Sequence, residues 1–415
     1  MFRVGSLLCV RTSGLSSSII SAIRRFGNRI HYIKRYMKFT VQGKEFLNQL
    51  NASAKVLNSR NTIAILDNFL LNLDGDRLSI TASDSENVLT SSMEVFEAEG
   101  EGQIAINAKK LLEMIKEIAN QPITIEVQKD FMIKISYQNG EFKLMGVDPA
   151  PYPLPPTPAE SRTLKVPAAV ISRGLSMTLF AADLKANNPT MAGILWDCFD
   201  DKLVMVGTNG QKLVRYTATS FAPGMTLQFI LHMKTCGVIN SLISDDAEEA
   251  EIRLSDKSAV FSFGSYTFSC LFMKGRYAPY SRVIPTSNPY RIVVDRQNLL
   301  SAVKRVAISA SDDSNPSSPS NTSRRIRFDF SPSSIALSAQ DIDHGVSGSE
   351  KVMCDYEGPD FSIGLTADAS QEVLANIPCE NVVLELSGPA RPMLFVPFEQ
   401  KEGEDVTMLL MPFMV

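Results

Sequence analysis

Histidine is nearly absent from this chain: three in 415 residues, at His31, His232 and His344. A transition-metal centre usually draws on converging imidazoles and thiolates, and so few histidines leave little to build one from. The six cysteines, Cys9, Cys198, Cys236, Cys270, Cys354 and Cys379, stand singly, with no CxxC pair and no His at a metal-ligand spacing. They read as reduced thiols and exclude a disulfide framework or zinc ribbon. The nucleophile elbow GxSxG, the Walker GxxxxGK loop, GxGxxG and HExxH are all missing. The nearest approach to a phosphate loop, GTNGQKL at 207–213, has the wrong spacing and lies between two expected strands, so it reads as a turn. The carboxylate pairs Asp200/Asp201, Asp245/Asp246 and Asp312/Asp313 are adjacent in loops, where the side chains diverge and solvate separately. His232 and His344 have no nucleophile beside them and read as structural. The expectation is a protein with no catalytic residues, no metal and no cofactor.

What the chain does have is repetition. Val41, Phe46, Leu50 and Ala54 recur as Val166, Ile171, Leu175 and Leu179, and again as Val294, Leu299, Val303 and Ala307. Each set is a strand residue followed by apolar positions on one helical face. Leu111, Leu112 and Ile115 have counterparts in Val238, Ile239 and Leu242, and in Val373, Leu374 and Ile377. Three copies of a unit with two βα-plus-hairpin halves predict an α+β fold, with antiparallel sheets on one side and helices on the other. The Asn139-Gly140 pair marks a hairpin within the first copy. Proline-rich stretches at 148–162 and 275–290 read as interdomain linkers, and 309–323 as a polar low-complexity loop. The expected domains are 37–152, 161–277 and 288–415. Residues 1–36 hold seven Lys/Arg, no acid and a Ser-rich run, and their apolar stretches are too short to span a bilayer. They are expected to be an extension, disordered or outside the mature protein, with an organellar transit peptide as the alternative.

Without that extension the body carries 34 basic and 45 acidic residues, a net charge of −11. Such a body repels nucleic acid unless its cations are segregated. Over the six expected helices (44–60, 108–119, 167–185, 232–244, 295–309, 368–377) the charge is +5, leaving −16 for everything else. Basic helices at equivalent positions of a repeat offer duplex nucleic acid a surface held by phosphate contacts, without base readout. Ordinary solvated helix faces would show the same charges.

The segments MKFTVQGKEFLNQL at 37–50, SRNTIAILDNFLL at 59–71, GTNGQKL at 207–213, GRYAPYSRVIP at 275–285 and LLMPFMV at 409–415 resemble the bacterial sliding clamp, the DNA polymerase III beta subunit. The resemblance covers the whole body from Met37. It implies three repeated DNA-clamp domains with sheets outside and helices lining a ring, closed by head-to-tail dimerisation around sequence-independent duplex DNA. The implied role is to tether a replicative DNA polymerase for processivity, in the cytoplasm on the nucleoid. The residues it would place on DNA are Arg60, Lys109, Lys110, Lys116, Lys185, Lys234 and Arg305. It further implies a hydrophobic groove that takes short linear peptides from polymerase, clamp loader and repair proteins. The matching positions are Met191, Thr208, Gly210, Gln211, Lys212, Leu213, Arg282, Val283, Leu409, Met411, Pro412 and Phe413. Gln211 stands where His is common, Lys212 for Arg, Ala278 for Pro, Ala369 for an aromatic and Met414-Val415 for a terminal Arg-Leu, so the peptide preference is expected to be shifted. A repeat-built nucleic-acid-processing enzyme and a non-DNA protein-binding scaffold remain the alternatives at this point.

Overall fold

The computed structural model describes residues 36–58, 61–128, 130–154, 161–243, 249–310 and 324–413. The extension except its last residue, Tyr36, together with the 309–323 loop beyond Ala310, Asp245/Asp246, Arg60 and the Met414-Val415 terminus, lies outside them. Internal contacts divide the chain into two compact units, one comprising residues up to Asn51 with 67–80 and 92–152, the other comprising 52–66, 81–91 and everything from Pro153 onward.

All six expected helices form: α1 (Gly43–Ala54), α2 (Ala108–Ile118), α3 (Ala168–Thr178), α4 (Met233–Leu242), α5 (Arg296–Val306) and α6 (Ala367–Asn376). Their ends are set locally. Asn107 caps α2 by accepting a hydrogen bond from the Lys110 amide at 3.0 Å, and Asp295 caps α5 by accepting from the Asn298 amide at 2.6 Å. Proline precedes α3 at Pro167, where no side-chain cap is made.

In the first unit the antiparallel strands run in the spatial order Gly140–Met145, Met132–Tyr137, Pro122–Val127, Tyr36–Gln42, Phe96–Asn107, Asn68–Asp74. Phe39, Phe46, Leu50, Phe69, Leu111 and Ile115 are fully buried, so the apolar faces of α1 and α2 do supply this core. Two details differ from expectation. The hairpin turn is Gln138-Asn139, with Gly140 already paired to Tyr137. And QIAI is only the end of a twelve-residue strand, Phe96–Asn107, whose first half carries Glu97, Glu99 and Glu101. That half pairs with Tyr36–Lys38, the second half with Asn68–Leu73. Alternating Glu and Gly hide the strand, since neither residue favours one.

The second unit contains a continuous eight-stranded antiparallel sheet, in the order Leu227–His232, Gly193–Cys198, Leu203–Thr208, Lys212–Ala218, Glu404–Leu410, Met393–Pro397, Asn381–Leu386, Tyr290–Asp295. The central and third repeats share it, joined where Lys212–Ala218 pairs with Glu404–Leu410, Leu213 opposite Leu409. A four-stranded sheet (Val346–Met353, Ser334–Asp341, Arg325–Ser331, Phe361–Thr366) completes the third repeat. In a further sheet Asn87–Ser91 pairs with Tyr266–Cys270. α3 packs on α4, and α5 on α6.

GILWDC and LVMVGT are buried at every position. Alternation is lost because both faces are covered. On one face Trp196, Met205 and Tyr216 lie side by side across three strands, and Gly174 of α3 sits where a Cβ would collide with Met205 and Tyr216. On the other, Leu195, Val204, Val206, Leu213, Ile230, Leu394 and Leu409 form an apolar cluster with Tyr277 over it. The 275–290 stretch is therefore packed structure as well as a connection. It includes a one-turn helix, Tyr280–Val283, and Tyr277 donates to the carbonyls of Gly193 at 3.3 Å and Val206 at 3.0 Å.

Because α2 depends on one side-chain cap, Asn107→Ala should cost about 1 kcal/mol of stability, whereas Asn107→Asp should cost almost nothing. Urea denaturation with unchanged m-value checks this; an equal loss for both substitutions would show that the cap is not the cause.

Candidate functional site

The seven cations expected on nucleic acid do not share one environment. Arg60 lies outside the described residues. Lys109 and Lys116 are exposed on α2 and form no ion pair among the described residues, while Lys110 pairs with Glu113 one turn on, at 3.2 Å. Lys185 is exposed in the loop after the short 3-10 turn Leu179–Ala181, beyond the end of α3, where its amide donates to Asp183 at 2.8 Å. Arg305 of α5 makes a two-pronged contact with Glu350, at 2.8 and 2.5 Å. That hydrogen bond holds the Glu350 carboxyl below the usual carboxylate range.

Lys234 departs most from expectation. At the start of α4 its ammonium donates to Asp84 at 2.9 Å, to Asn58 Oδ1 at 2.5 Å and to the Val56 carbonyl at 2.9 Å. All three of its donors are used, so it fastens α4 to two segments of the first repeat instead of standing ready for phosphate. Thr235 donates beside it to Asn87 at 2.8 Å. Burial acts to raise the Asp84 carboxyl, but hydrogen bonds from Lys234 and Asn87 outweigh it and hold it below the ordinary value of 3.8.

Two exposed helix cations that the family resemblance did not supply are free of described partners: Lys44 at the start of α1 and Lys304 in the last turn of α5. The helix charge count contains both. What it cannot reveal is which cations have protein acceptors within reach: Arg173 pairs with Glu404 at 3.0 Å, and Arg296 donates to the carbonyls of Cys379 and Leu374.

The residues expected to line a groove lie mostly around one turn. Strands Leu203–Thr208 and Lys212–Ala218 are joined by Asn209-Gly210-Gln211. Thr208 Oγ1 donates to the Lys212 carbonyl at 2.7 Å and accepts from the Gly210 amide at 3.1 Å. Asn209 Oδ1 accepts from the amides of Gln211 and Lys212 at 3.0 and 2.9 Å. Gly210 has φ +89, a conformation open to glycine at little cost. Met191 lies 3.9 Å from where a Gly210 Cβ would be, and the Met411 amide donates to the Gln211 carbonyl at 2.8 Å. Met191 and Met411 therefore flank this turn, with Met411 41% exposed. Leu213 and Leu409 form the floor, both buried in the apolar cluster. Arg282 and Val283 are exposed on the Tyr280–Val283 turn, which is anchored by Tyr280 donating to Asp197 at 2.8 Å. Burial and the Asp197 carboxylate push the Tyr280 phenol up, so it remains a donor at neutral pH.

Two of the expected groove residues point elsewhere. Lys212 is 7% exposed, pairs with Glu372 of α6 and stacks over Phe180 at 5.7 Å. Strand alternation is the reason: Leu213 faces the apolar cluster, so its neighbour faces the helices. Phe413 docks against Gly364 of the four-stranded sheet, its amide donating to the Gly364 carbonyl at 3.0 Å and its ring under Arg325 at 5.1 Å. Phe199, Met273, Tyr280, Ile284 and Val396, partly buried around the cluster, were missed by the motif reading; the apolar positions of 273–284 were the available signal.

His232 caps α4 through Nδ1, accepting from the Lys234 amide at 3.1 Å, and burial lowers its pKa. His344 pairs with Asp341 at 2.8 Å in an exposed turn. Burial pushes the Cys198 and Cys270 thiols up to about 12, far from a nucleophilic thiolate. Among the described residues no group of three or more His, Cys, Asp or Glu could hold a metal ion, and no helix is long and apolar enough to cross a membrane.

Comparison with known proteins assigns all three repeats. The N-terminal, central and C-terminal domains of the DNA polymerase III beta subunit match residues 37–156, 165–279 and 281–414. The beta sliding clamp of Staphylococcus epidermidis is 22% identical over 383 residues, spanning 91% of this chain and 99% of its own length. Among solved structures, the DNA polymerase sliding clamp of Pseudomonas aeruginosa, determined with a ligand, is 25% identical with a TM-score of 0.84, covering 91% of this chain and 100% of its own. That of Bacillus subtilis has the same TM-score at 22% identity, covering 92% and 100%.

The Asp84–Lys234 clip sets a pH dependence. A carboxyl depressed in the folded state contributes stability that is fully present above the unfolded value near 3.8 and lost as pH falls through the lower folded value. Asp84→Asn should cost about 1.5–3 kcal/mol at pH 7 and flatten the acid limb of the stability–pH curve. Parallel curves for the variant and the parent would contradict this.

Proposed function

The chain belongs to the DNA polymerase III beta subunit family, the bacterial sliding clamps, and from that membership we propose that it is a processivity factor without catalytic activity of its own. Two copies, each of three clamp domains at 37–152, 161–277 and 288–415, close head to tail around duplex DNA. The enclosed helices hold the duplex through phosphate contacts, and the groove tethers the replicative polymerase and, in turn, clamp loader and repair proteins. The protein works in the cytoplasm, on the nucleoid.

The observation that best supports DNA tethering is the selective freedom of the helix cations. Lys44, Lys109, Lys116 and Lys304 are exposed and unpaired among the described residues, while Lys110, Lys234 and Arg305 are held by protein carboxylates. In a body of net charge −11, four free lysines on helices give an attraction that is local, weak and without base readout. A sliding protein needs that combination, because tight phosphate contacts would arrest it. Retention then comes from topology, not affinity.

For partner binding the supporting geometry is the flank of half-buried Met191 and exposed Met411 beside the Leu213–Leu409 floor. Thioether side chains repack easily, which suits capture of several related peptides.

Three measurements test the reading. The native particle should weigh about 80–90 kDa, twice the chain mass of 45.6 kDa less the extension; a strict monomer would sink the ring. Protein loaded on nicked circular plasmid should stay bound through a salt wash and be lost on linearisation, whereas Lys109→Glu/Lys116→Glu should load less without losing dimer mass. Met411→Ala should weaken a Gln-Leu-Ser-Leu-Phe peptide about tenfold, the effect of one truncated hot-spot side chain.

A further inference from the structure

The segment that roofs the apolar cluster carries charges of which the groove as described so far includes only Arg282. Between Asp256 and Asp295 the sequence contains no acidic residue, yet it holds Lys257, Lys274, Arg276, Arg282 and Arg291. In a chain with more acids than bases, such a run is a segregated positive surface.

Its geometry is set from inside. The Met273 amide donates to the Ile230 carbonyl at 2.9 Å, Tyr277 donates to Gly193 and Val206, Tyr280 donates to Asp197, and Ile284 packs against the same cluster. With those side chains turned inward, Lys274, Arg276 and Arg282 are left exposed. None of the three has an ion-pair partner among the described residues, whereas Arg291 stacks over Phe398 at 5.7 Å. Gly275 bridges this strip to the groove. Its φ is +119, and a Cβ there would stand 2.9 Å from Thr190, the residue before Met191. Close approaches of Gly275 to Thr190 and of Met191 to Gly210, with the hydrogen bond from Met411 to Gln211, place the strip near the groove turn.

We propose that the groove selects linear peptides whose apolar core is flanked by acidic residues, with Lys274, Arg276 and Arg282 as the groups that read those flanks. The proposal rests on the peptide-capture reading of the groove and adds a charge specificity to it. A peptide is the occupant because Arg282 adjoins Val283, and Gly275, between Lys274 and Arg276, lies against Thr190 beside Met191; apolar side chains there would contribute nothing to a phosphate backbone. Exposed cations facing peptide carboxylates are worth little singly, about two- to fivefold each. Together they bias selection and raise the association rate more than they deepen binding. The bias must also fade with salt, as the Debye length falls to about 3 Å at 1 M.

The test compares two peptides with the core Gln-Leu-Ser-Leu-Phe, one flanked on each side by Glu-Glu and one by Gln-Gln. They are titrated into the full-length protein, Lys274→Gln/Arg276→Gln and Met411→Ala. The full-length protein should prefer the acidic peptide about tenfold at low salt. That preference should fall to about two- to fivefold in the double variant, which keeps Arg282, and below about twofold at 1 M salt, with affinity for the neutral peptide unchanged. Met411→Ala should weaken both peptides alike. Equal affinities in the parent protein, with Met411→Ala still weakening both, would overturn the charge specificity and leave the groove standing. No effect of Met411→Ala would overturn the groove and the proposal together. A twelve-residue oligodeoxythymidine that displaced the acidic peptide better than the same unlabelled peptide would assign these cations to nucleic acid and overturn the proposal.

Discussion

The pairing of Lys212–Ala218 with Glu404–Leu410 is the constraint on which the candidate groove depends. Seven consecutive residues on each strand are matched without a bulge, so one register fixes both faces of the seam. On one face Leu213 and Leu409 enter the apolar cluster; on the other Lys212 reaches Glu372 and Phe180. A slip of one residue would exchange these faces, putting a cation into the cluster and leucines among charged groups. The same seam carries Arg173–Glu404 at 3.0 Å and Arg215–Asp405 at 2.7 Å. These part-buried pairs add directional checks on a register that hydrophobic burial already favours. The turn at Asn209-Gly210-Gln211 precedes Lys212 and the tail at Met411 follows Leu410, the residue paired with Lys212, so both leave the same end of this ladder, which is why they meet.

Charge is distributed by a related economy. A strongly acidic protein that must tolerate DNA cannot rely on its total charge, so which cations are neutralised internally matters more than how many exist. Lys234 is used up in holding α4, and Arg305 is matched by Glu350. Lys44, Lys109, Lys116 and Lys304 are left exposed, on flexible stems that can follow a moving phosphate without a fixed geometry.

The helices and their apolar faces were legible because period-3.6 spacing repeats three times, and Phe46, Ile171 and Leu299 are indeed fully buried. The strand Phe96–Asn107 was not, since its glutamates are satisfied by Lys38 and Thr40, partners distant in sequence. Burial of every residue in Gly193–Cys198 was hidden for the same reason: alternation reports one covered face, and a second cover arrives from 273–284. In the groove, resemblance located the backbone positions but not the side-chain directions. Lys212 and Phe413 sit at matching positions, yet one joins α6 and the other the four-stranded sheet. The fate of Lys234 depended on Asp84 and Asn58, well over a hundred residues away, and no local pattern carries that information.

Those side-chain directions bear on how the groove can discriminate. With Lys212 neutralised by Glu372 and Phe413 docked on Gly364, the turn itself presents mainly Gly210, Gln211 and the two flanking methionines, which distinguish peptides poorly by charge. Shape alone gives modest selectivity, because one methylene in an apolar site is worth only about 1–3 kcal/mol. Any charge discrimination must therefore come from outside the turn. The acid-free segment between Asp256 and Asp295 passes over the same cluster and anchors itself there through Tyr277 and Tyr280. The backbone that bears Lys274, Arg276 and Arg282 is thus held by an apolar scaffold instead of by salt bridges, an arrangement that leaves these exposed cations available to a ligand.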